Sequence, residues 1–367
     1  MNITKREQEI LTEIESNPQV SQKYLSEKLG ITRSAIAVHI MNLSAKGLIK
    51  GRGYILSTQP LISIIGGANI DIHGISLRRI KPRDSNPGNL FSSPGGVARN
   101  IAENIVRLGL PCRLITAVGQ DQNGDMLIKN CQELGIDTRY ILRHGEMQTS
   151  TYLSIIDSSG EMLNAISDMK VINAITPSYI KSIEKTLIQS ELIVLDTNLE
   201  TATLKYVMNK FNRIPIFIDT VSTIKAKKIL PFLDKINTLK PNLMEAESIS
   251  GIKIKDLSKL PLIANWFHDK GLKRLFITLG EKGIFYSAPG ESGIETLPLQ
   301  KNKIVNVSGA GDASMAGLVH AWKEQYSAKE SAKKALIAAQ IALTNTDTIN
   351  PSMSLKHLED KYNEQYA

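Results

Sequence analysis

The sequence predicts an α/β protein built on a doubly wound, mostly parallel sheet with a small β-rich appendage, preceded by a separate, mainly helical segment. Two observations carry this reading. Apolar runs recur at residues 61–65, 114–118, 192–195, 215–218, 236–239 and 275–278, with helical stretches between most of them. Strands that are apolar on both faces and alternate with helices belong to a parallel sheet covered on both sides. The first sixty residues follow a different plan, with three short amphipathic helices in place of such runs. The chain has 367 residues, 42% of them hydrophobic, which suits a substantial core shared between more than one unit.

Thr4-Lys5-Arg6-Glu7 has capping-box spacing, and Ile10, Leu11 and Ile14 then form the apolar stripe of a helix ending near Asn17-Pro18. Ser21 opens a second helix with Tyr24, Leu25 and Leu29 inward, and Gly30 stops it. Thr32 caps a third helix that runs to about Lys46 with Ile36, Ile40 and Leu43 inward. Residues 47–56 read as a short β-hairpin. Over residues 1–57 this arrangement resembles the winged helix-turn-helix of bacterial regulators. The resemblance implies a third helix lying in the DNA major groove with Arg33, Ser34, Ala37, His39 and Asn42 outward, while Lys50 and Arg52 on the wing meet phosphate. Charge agrees: residues 1–60 hold eight Lys/Arg against five Asp/Glu, within a chain of net charge +8. Winged modules usually read two half-sites as pairs, so a homodimer is expected.

Thr58-Gln59-Pro60 forms a short joint, and residues 61–367 make the second domain. Two stretches, 72–90 and 148–168, break the alternation with strand-like residues and polar interruptions, among them the turn Asp157-Ser158-Ser159-Gly160. In a doubly wound sheet ligands bind beyond the C-terminal strand ends, and the conspicuous motifs fall there. Gly66-Gly67-Ala68-Asn69-Ile70-Asp71 follows the first strand as a βα turn. Pro94-Gly95-Gly96-Val97-Ala98-Arg99-Asn100 opens a helix with Ile101, Ile105 and Leu108 on its apolar face. Lys240-Pro241-Asn242-Leu243-Met244-Glu245 follows an apolar run, and Thr278-Leu279-Gly280-Glu281-Lys282-Gly283 links two strands. Val307-Ser308-Gly309-Ala310-Gly311-Asp312-Ala313 stands at the mouth of a helix expected from Ala313 to Gln325, whose small first turns suit close packing on a sheet. Free amides and the dipole at a helix start make an anion site. Gly309 and Gly311 let the main chain approach a phosphate, and Asp312 stands beside it as a candidate base.

In this order and at these separations, the motifs resemble the ribokinase-like (pfkB) carbohydrate and nucleoside kinases over residues 61–367. The resemblance implies a ribokinase-like fold, a β lid from residues 72–90 and 148–168, and ATP-dependent transfer of a phosphoryl group to a primary hydroxyl. It assigns the base to Asp312 and the stabilising cradle to Gly309, Ala310 and Gly311. Asn69 and Asp71 would hold vicinal sugar hydroxyls, with Gly95, Gly96 and Asn100 completing that wall. Asn242 and Glu245 would order Mg²⁺, Glu245 through water, and Thr278, Gly280 and Gly283 would border the nucleotide.

The run 95–104, with Asp168-Met169, Asp196-Thr197-Asn198, Asp219-Thr220-Val221-Ser222 and Thr348-Ile349-Asn350-Pro351, looks most like the pseudouridine kinase branch, which phosphorylates a ribose 5′-hydroxyl. Many members carry Asp-Thr before the Gly-Ala-Gly-Asp motif, where some hold a monovalent cation such as K⁺; here Asn306-Val307 stands in that place. Two other readings stay open: a free-sugar kinase of ribose or fructose type, and a transcriptional regulator whose kinase-like domain senses a sugar or nucleoside.

Composition narrows the setting. Cys112 and Cys131 give neither a disulfide framework nor metal-ligand spacing. The N-terminus lacks an apolar secretory core, and no run approaches the ~20 residues that span a bilayer. A cytoplasmic protein without membrane contact is expected.

Overall fold

The computed structural model describes residues 3–49, 61–297, 305–306 and 308–366. Most of the expected wing, with Lys50 and Arg52, lies outside the described residues, as do the joint at 58–60 and Val307. Contacts divide the chain into two compact units, Met1–Pro60 and Leu61–Ala367.

The N-terminal unit holds α1 (Lys5–Ser16), α2 (Gln22–Leu29) and α3 (Arg33–Ala45). Thr4 and Glu7 close a reciprocal capping box, the Thr4 hydroxyl accepting from the Glu7 amide at 3.2 Å and the Glu7 carboxylate from the Thr4 amide at 2.7 Å. Ser21 and Thr32 cap α2 and α3. Ile10, Ile14, Val20, Leu25, Ile36, Leu43 and Ile49 pack as its core. One expectation is corrected: Tyr24 is 47% exposed, and the Lys28 ammonium lies 5.6 Å from its ring centre on the outer face. Helical periodicity places Tyr24 next to Leu25, and the wide apolar stripe assumed for so short a helix takes in one residue too many.

The C-terminal unit runs β1 (Leu61–Ile65), β2 (Asn69–Ser76), β3 (Gly88–Gly95), α4 (Val97–Arg107), β4 (Cys112–Ile115), β5 (Ala117–Gly119), α5 (Gln122–Glu133), β6 (Leu142–His144), β7 (Thr151–Ile156) and β8 (Met162–Asp168). It continues with α6 (Pro177–Ser182), α7 (Glu184–Leu187), β9 (Ser190–Asp196), α8 (Thr201–Lys210), β10 (Ile216–Asp219), α9 (Thr223–Ala226), β11 (Thr238–Lys240), α10 (Leu243–Ser250) and α11 (Leu260–Asp269). Then come β12 (Arg274–Thr278), β13 (Ile284–Ala288), β14 (Glu291–Glu295), α12 (Ala310–Lys323), α13 (Ala328–Leu343) and α14 (Leu355–Tyr366).

Among the described residues the main sheet has eight strands in the order β14-β13-β12-β11-β10-β9-β1-β4. It is parallel from β12 to β4 and antiparallel at β13 and β14. Alternate residues of a central strand serve opposite faces. Leu192 and Val194 join one core with Ile101 of α4, Leu318 of α12 and Ile337 of α13, whereas Ile193 and Leu195 join another with Leu204 of α8, Ile249 of α10 and Ile263 of α11. The apolar run at 114–118 breaks at Thr116, because β5 leaves the main sheet to pair with β6.

A second sheet, β3-β2-β7-β8, realises the two stretches that broke the alternation. It reaches further than expected. Asn69 and Asp71 belong to β2 itself, so the segment after β1 is a strand-to-strand connection and not a βα turn. The two glycines at 66–67 bend the chain without starting a helix, and Ile70 and Ile72 alternate as a strand requires. No helix among the described residues is long and apolar enough to cross a membrane.

Candidate active site

Helix α12 begins three residues earlier than its sequence suggests. Gly309 is its N-cap, and its first backbone bond runs from the Ala313 amide to the Gly309 carbonyl at 2.9 Å. The helix ends at Lys323, short of the expected Gln325, which has left the helical conformation with φ 58°. Ala310, Gly311 and Asp312 are therefore the first turn, whose amides lack intrahelical acceptors at the positive end of the dipole. Ala313, Met315 and Ala316 pack in the core shared with the sheet strands, whereas Gly317 serves another contact: a Cβ there would meet the Ala335 Cα of α13 at 2.9 Å, so this close approach is helix to helix.

A cavity of about 320 Å³ opens against this first turn. Thr278, Gly280, Gly283, Ala310 and Gly311 line it together with the apolar Leu336 and Ala339 of α13. Main-chain donors beside an apolar wall suit a phosphorylated ligand with a flat base.

Asp312 is half-buried, and the Asn100 amide of α4 donates to its Oδ2 at 2.9 Å. Burial, and after it the negative Asp219, push the Asp312 carboxyl up to about 8, against the opposing pull of Asn100 and Lys240. Lys240, at the end of β11, is buried and pairs with Asp219 at 2.9 Å. Its ammonium would stand 3.6 Å from a Cβ on Gly311, which sets a cation close to the start of α12.

Asp196, at the end of β9, is buried and accepts the backbone amides of Gly67 at 2.7 Å, Ala98 at 3.1 Å and Asn198 at 2.8 Å. It ties the turn after β1 to the start of α4. Burial raises its carboxyl to about 6. Replacing Asp196 by Ala would leave those amides without their acceptor, and a buried unsatisfied donor costs ~1–3 kcal/mol. Relief of the buried carboxylate offsets part of this, so we expect a net loss of about 3 kcal/mol, to be read from urea unfolding.

After β10 the chain makes a strained γ-turn. Val221 takes φ 57°, a left-handed conformation that a β-branched residue rarely adopts, and the Ser222 amide donates to the Thr220 carbonyl at 2.5 Å. Such strain concentrates at functional sites. Beyond the turn, the Lys225 ammonium donates to Asn198 Oδ1 at 2.7 Å. A Cβ on Gly67 would come within 2.7 Å of Asn198 Nδ2 and 3.1 Å of Met169 Cε, so Asn198 and Met169 crowd the turn after β1.

The residues read as the sugar wall do come together. Asn69 Nδ2 donates to Asp71 Oδ1 at 2.6 Å, and Asp71 is held above the usual carboxylate range by burial. A Cβ on Gly95 would overlap Asp71 Oδ2 at 2.0 Å, so only glycine permits this approach. Gly96 is the N-cap of α4.

Asn242 and Glu245 form a capping box at the start of α10, each accepting the other's backbone amide at 2.9 Å. Glu245 also accepts from the Thr220 hydroxyl at 2.6 Å. Asn242 and Thr278 face a shared pocket of about 370 Å³. Among the described residues no group of three His, Cys, Asp or Glu side chains is arranged to hold a metal ion. One carboxylate with neighbouring oxygens fits an ion that keeps most of its waters, as Mg²⁺ does.

In the N-terminal unit Arg33 and Ser34 are exposed on α3, together with Ala37. His39 and Asn42 are only half-buried, not fully outward, and among the described residues His39 Nδ1 is enclosed without a hydrogen-bond partner.

A family model for pfkB family carbohydrate kinases matches residues 59–355, and one for winged helix-turn-helix DNA-binding domains matches residues 3–50. The chain belongs to the pfkB family of carbohydrate kinases. This pfkB kinase is 39% identical over 298 residues to the pseudouridine kinase of Escherichia coli (strain K12), covering 81% of this chain and 95% of that relative. It is 36% identical over 350 residues to the uncharacterized sugar kinase YeiI of the same organism, covering 95% of this chain and 96% of the relative. Among solved structures it resembles a carbohydrate kinase from Agrobacterium tumefaciens, with TM-score 0.75, 25% identity and coverage of 84% of this chain and 98% of that one. The protein is thus an ATP-dependent phosphotransferase acting on a sugar hydroxyl, with a ribokinase-like fold and a winged helix-turn-helix.

The motifs point to most of these positions but not to Lys240, Asn198 or Lys225, whose side-chain contacts join separate strand ends. The signal was available in part: Lys240 and Asn198 stand inside quoted motifs at strand ends, where a parallel sheet gathers its ligands.

Proposed function

We propose that this kinase phosphorylates the primary hydroxyl of a ribose-containing nucleoside, with pseudouridine the preferred acceptor, and that its N-terminal unit binds DNA. The observation that carries the reading is the hydrogen bond from Asn100 to Asp312, which joins the sugar wall to the candidate base across 212 positions of sequence. On this reading the acceptor hydroxyl gives its proton to Asp312, its oxygen bonds the γ-phosphorus, and the bond to the ADP oxygen breaks. The first-turn amides of Ala310 and Gly311 and the Lys240 ammonium face the charge on the transferred group. Mg²⁺, ordered near Asn242 and Glu245 through water, would neutralise phosphate charge when bound. The reading includes no K⁺ ion: Asn306 brings no charge, its Oδ1 accepts the Ser308 amide at 2.9 Å, and its Nδ2 donates to the Thr346 carbonyl at 2.8 Å.

The identity to a pseudouridine kinase supports the nucleoside reading; the relative that also spans the N-terminal unit is named only as a sugar kinase, which favours a free sugar as the second reading. A sensor without chemistry has no need of Asp312. The test is ADP release with MgATP and a panel of pseudouridine, uridine, inosine, ribose and fructose. Pseudouridine turnover far above the others is expected; faster ribose or fructose turnover overturns the nucleoside reading.

For the DNA-binding unit we expect affinity to fall about 100-fold between 50 and 200 mM salt if roughly four phosphates are neutralised. Removing residues 1–56 should abolish the gel shift. Binding that survives the truncation would place the contact elsewhere. We also propose a cytoplasmic homodimer, since paired half-sites call for paired modules.

A further inference from the structure

Arg99, in the first turn of α4, is 3% exposed; its Nε is enclosed without a hydrogen-bond partner among the described residues, and its two terminal nitrogens make the contacts that offset the burial of its charge. Nη1 donates to the Pro94 carbonyl at 3.3 Å and to Asn100 Oδ1 at 3.2 Å. Nη2 donates to Asn130 Oδ1 of α5 at 2.6 Å and pairs with Glu103. Asn100 in turn donates from Nδ2 to Asp312. The oxygen and nitrogen of an amide are nearly the same size, so shape does not decide which way Asn100 faces. Its partners decide. A guanidinium only donates and an ionised carboxylate only accepts, so a single orientation satisfies both; the flipped amide sets donor against donor and acceptor against acceptor.

We propose that Arg99 is a positioning residue of the phosphotransfer site: it locks the Asn100 amide with its NH₂ toward Asp312 and so fixes the reacting carboxylate from behind the sugar wall. This rests on the reading of Asp312 as the base. Without the guanidinium nothing holds the amide from its oxygen side, so it turns more readily, most of all while Asp312 is protonated, and the donor that favours the ionised form of Asp312 is weakened. The charged groups that act on Asp312 from other elements are Asp196 on β9, Asp219 on β10 and Lys240 on β11, and a change at Arg99 leaves all of them in place. The influence of Arg99 on Asp312 therefore runs through Asn100.

A double-mutant cycle tests this with full-length R99M, N100A and the R99M/N100A pair, using MgATP with pseudouridine and with ribose. R99M should lower kcat about 10- to 100-fold, the loss expected when a hydrogen bond to a charged group is released, while KM for ATP stays within about twofold. In the N100A background the same change should alter kcat by less than about twofold. R99M should also move the acidic limb of the pH–rate profile upward. An equal loss in both backgrounds, or an unmoved limb, overturns the proposal. If R99M does not fold, R99K keeps a donor-only cation beside Glu103; a smaller loss that vanishes in N100A supports the proposal, and one that persists there overturns it. An active D312N would remove the base reading and this proposal with it, whereas an inactive D312N with an additive cycle removes only the role of Arg99.

Discussion

Asp312→Asn is expected to lower kcat about 10²- to 10⁴-fold, the usual size of a general-base contribution, while KM for ATP changes by less than about threefold. The amide keeps the shape of the carboxylate and can still touch Asn100, so folding should survive; only the proton acceptor is lost. The pH dependence is a second reading of the same group. Burial and the charge of Asp219 hold the Asp312 carboxyl at about 8, so it is protonated below that pH and ionised above it. A base works only when ionised, so kcat/KM should be full above about pH 8 and fall as pH drops through it. Asp219→Asn removes the negative neighbour and releases Lys240 from its pair, and both changes favour the ionised form. The limb should then move to lower pH. A profile flat from about pH 6 to about pH 9 would show that Asp312 is not held near 8, and D312N turnover within about threefold of the unmodified enzyme would rule it out as the base.

What could be read in advance follows from how local the cause is. Thr4 and Glu7 sit three apart and close their own capping box, and Gly30 ends α2 in a left-handed conformation, so neighbours in sequence suffice. The strand runs were equally legible, because a strand buried on both faces must be apolar at every position. The start of α12 is harder to read, since Gly-Ala-Gly-Asp has poor helix propensity; Gly309 caps the helix and leaves the next residues inside it. Two glycines before Asn69 and Asp71 suggest a turn, whereas pairing with β3 and β7 holds them in a strand, and those partners lie some 25 and 80 positions away. Buried charge was the hardest to foresee. Arg99 and Lys240 look in sequence like surface residues, and only the fold brings Asn130 to the one and Asp219 to the other.

Gly309→Ala and Gly311→Ala are expected to separate the architecture of the phosphate cradle from its chemistry. Gly309 has φ 77°, and a Cβ there would come within 1.9 Å of the Thr348 carbonyl oxygen and 3.0 Å of the Thr348 Cγ2. A left-handed L-residue costs ~1–2 kcal/mol even in open space, and a backbone oxygen at that distance forces the chain to move. Helix α12 cannot retreat as a body, because Gly317 is already against Ala335 of α13. The shift must fall on the loop and the first turn, which carry the amides and Asp312. Misplacing a reacting group by about 1 Å can cost 10²-fold, so G309A should lose at least that much kcat along with stability. Gly311 differs. Its φ is ordinary, and among the described residues a Cβ would meet only the Lys240 ammonium, at 3.6 Å. Alanine inside a helix is favoured over glycine by ~1 kcal/mol, so G311A should fold at least as well as the parent. It should nonetheless weaken ATP turnover about tenfold or more, because the added methyl occupies the path by which a phosphate reaches the amides. Thermal unfolding and steady-state kinetics on both variants check the pair. A G311A enzyme that is stable and fully active would show that no phosphate is held against the first turn of α12.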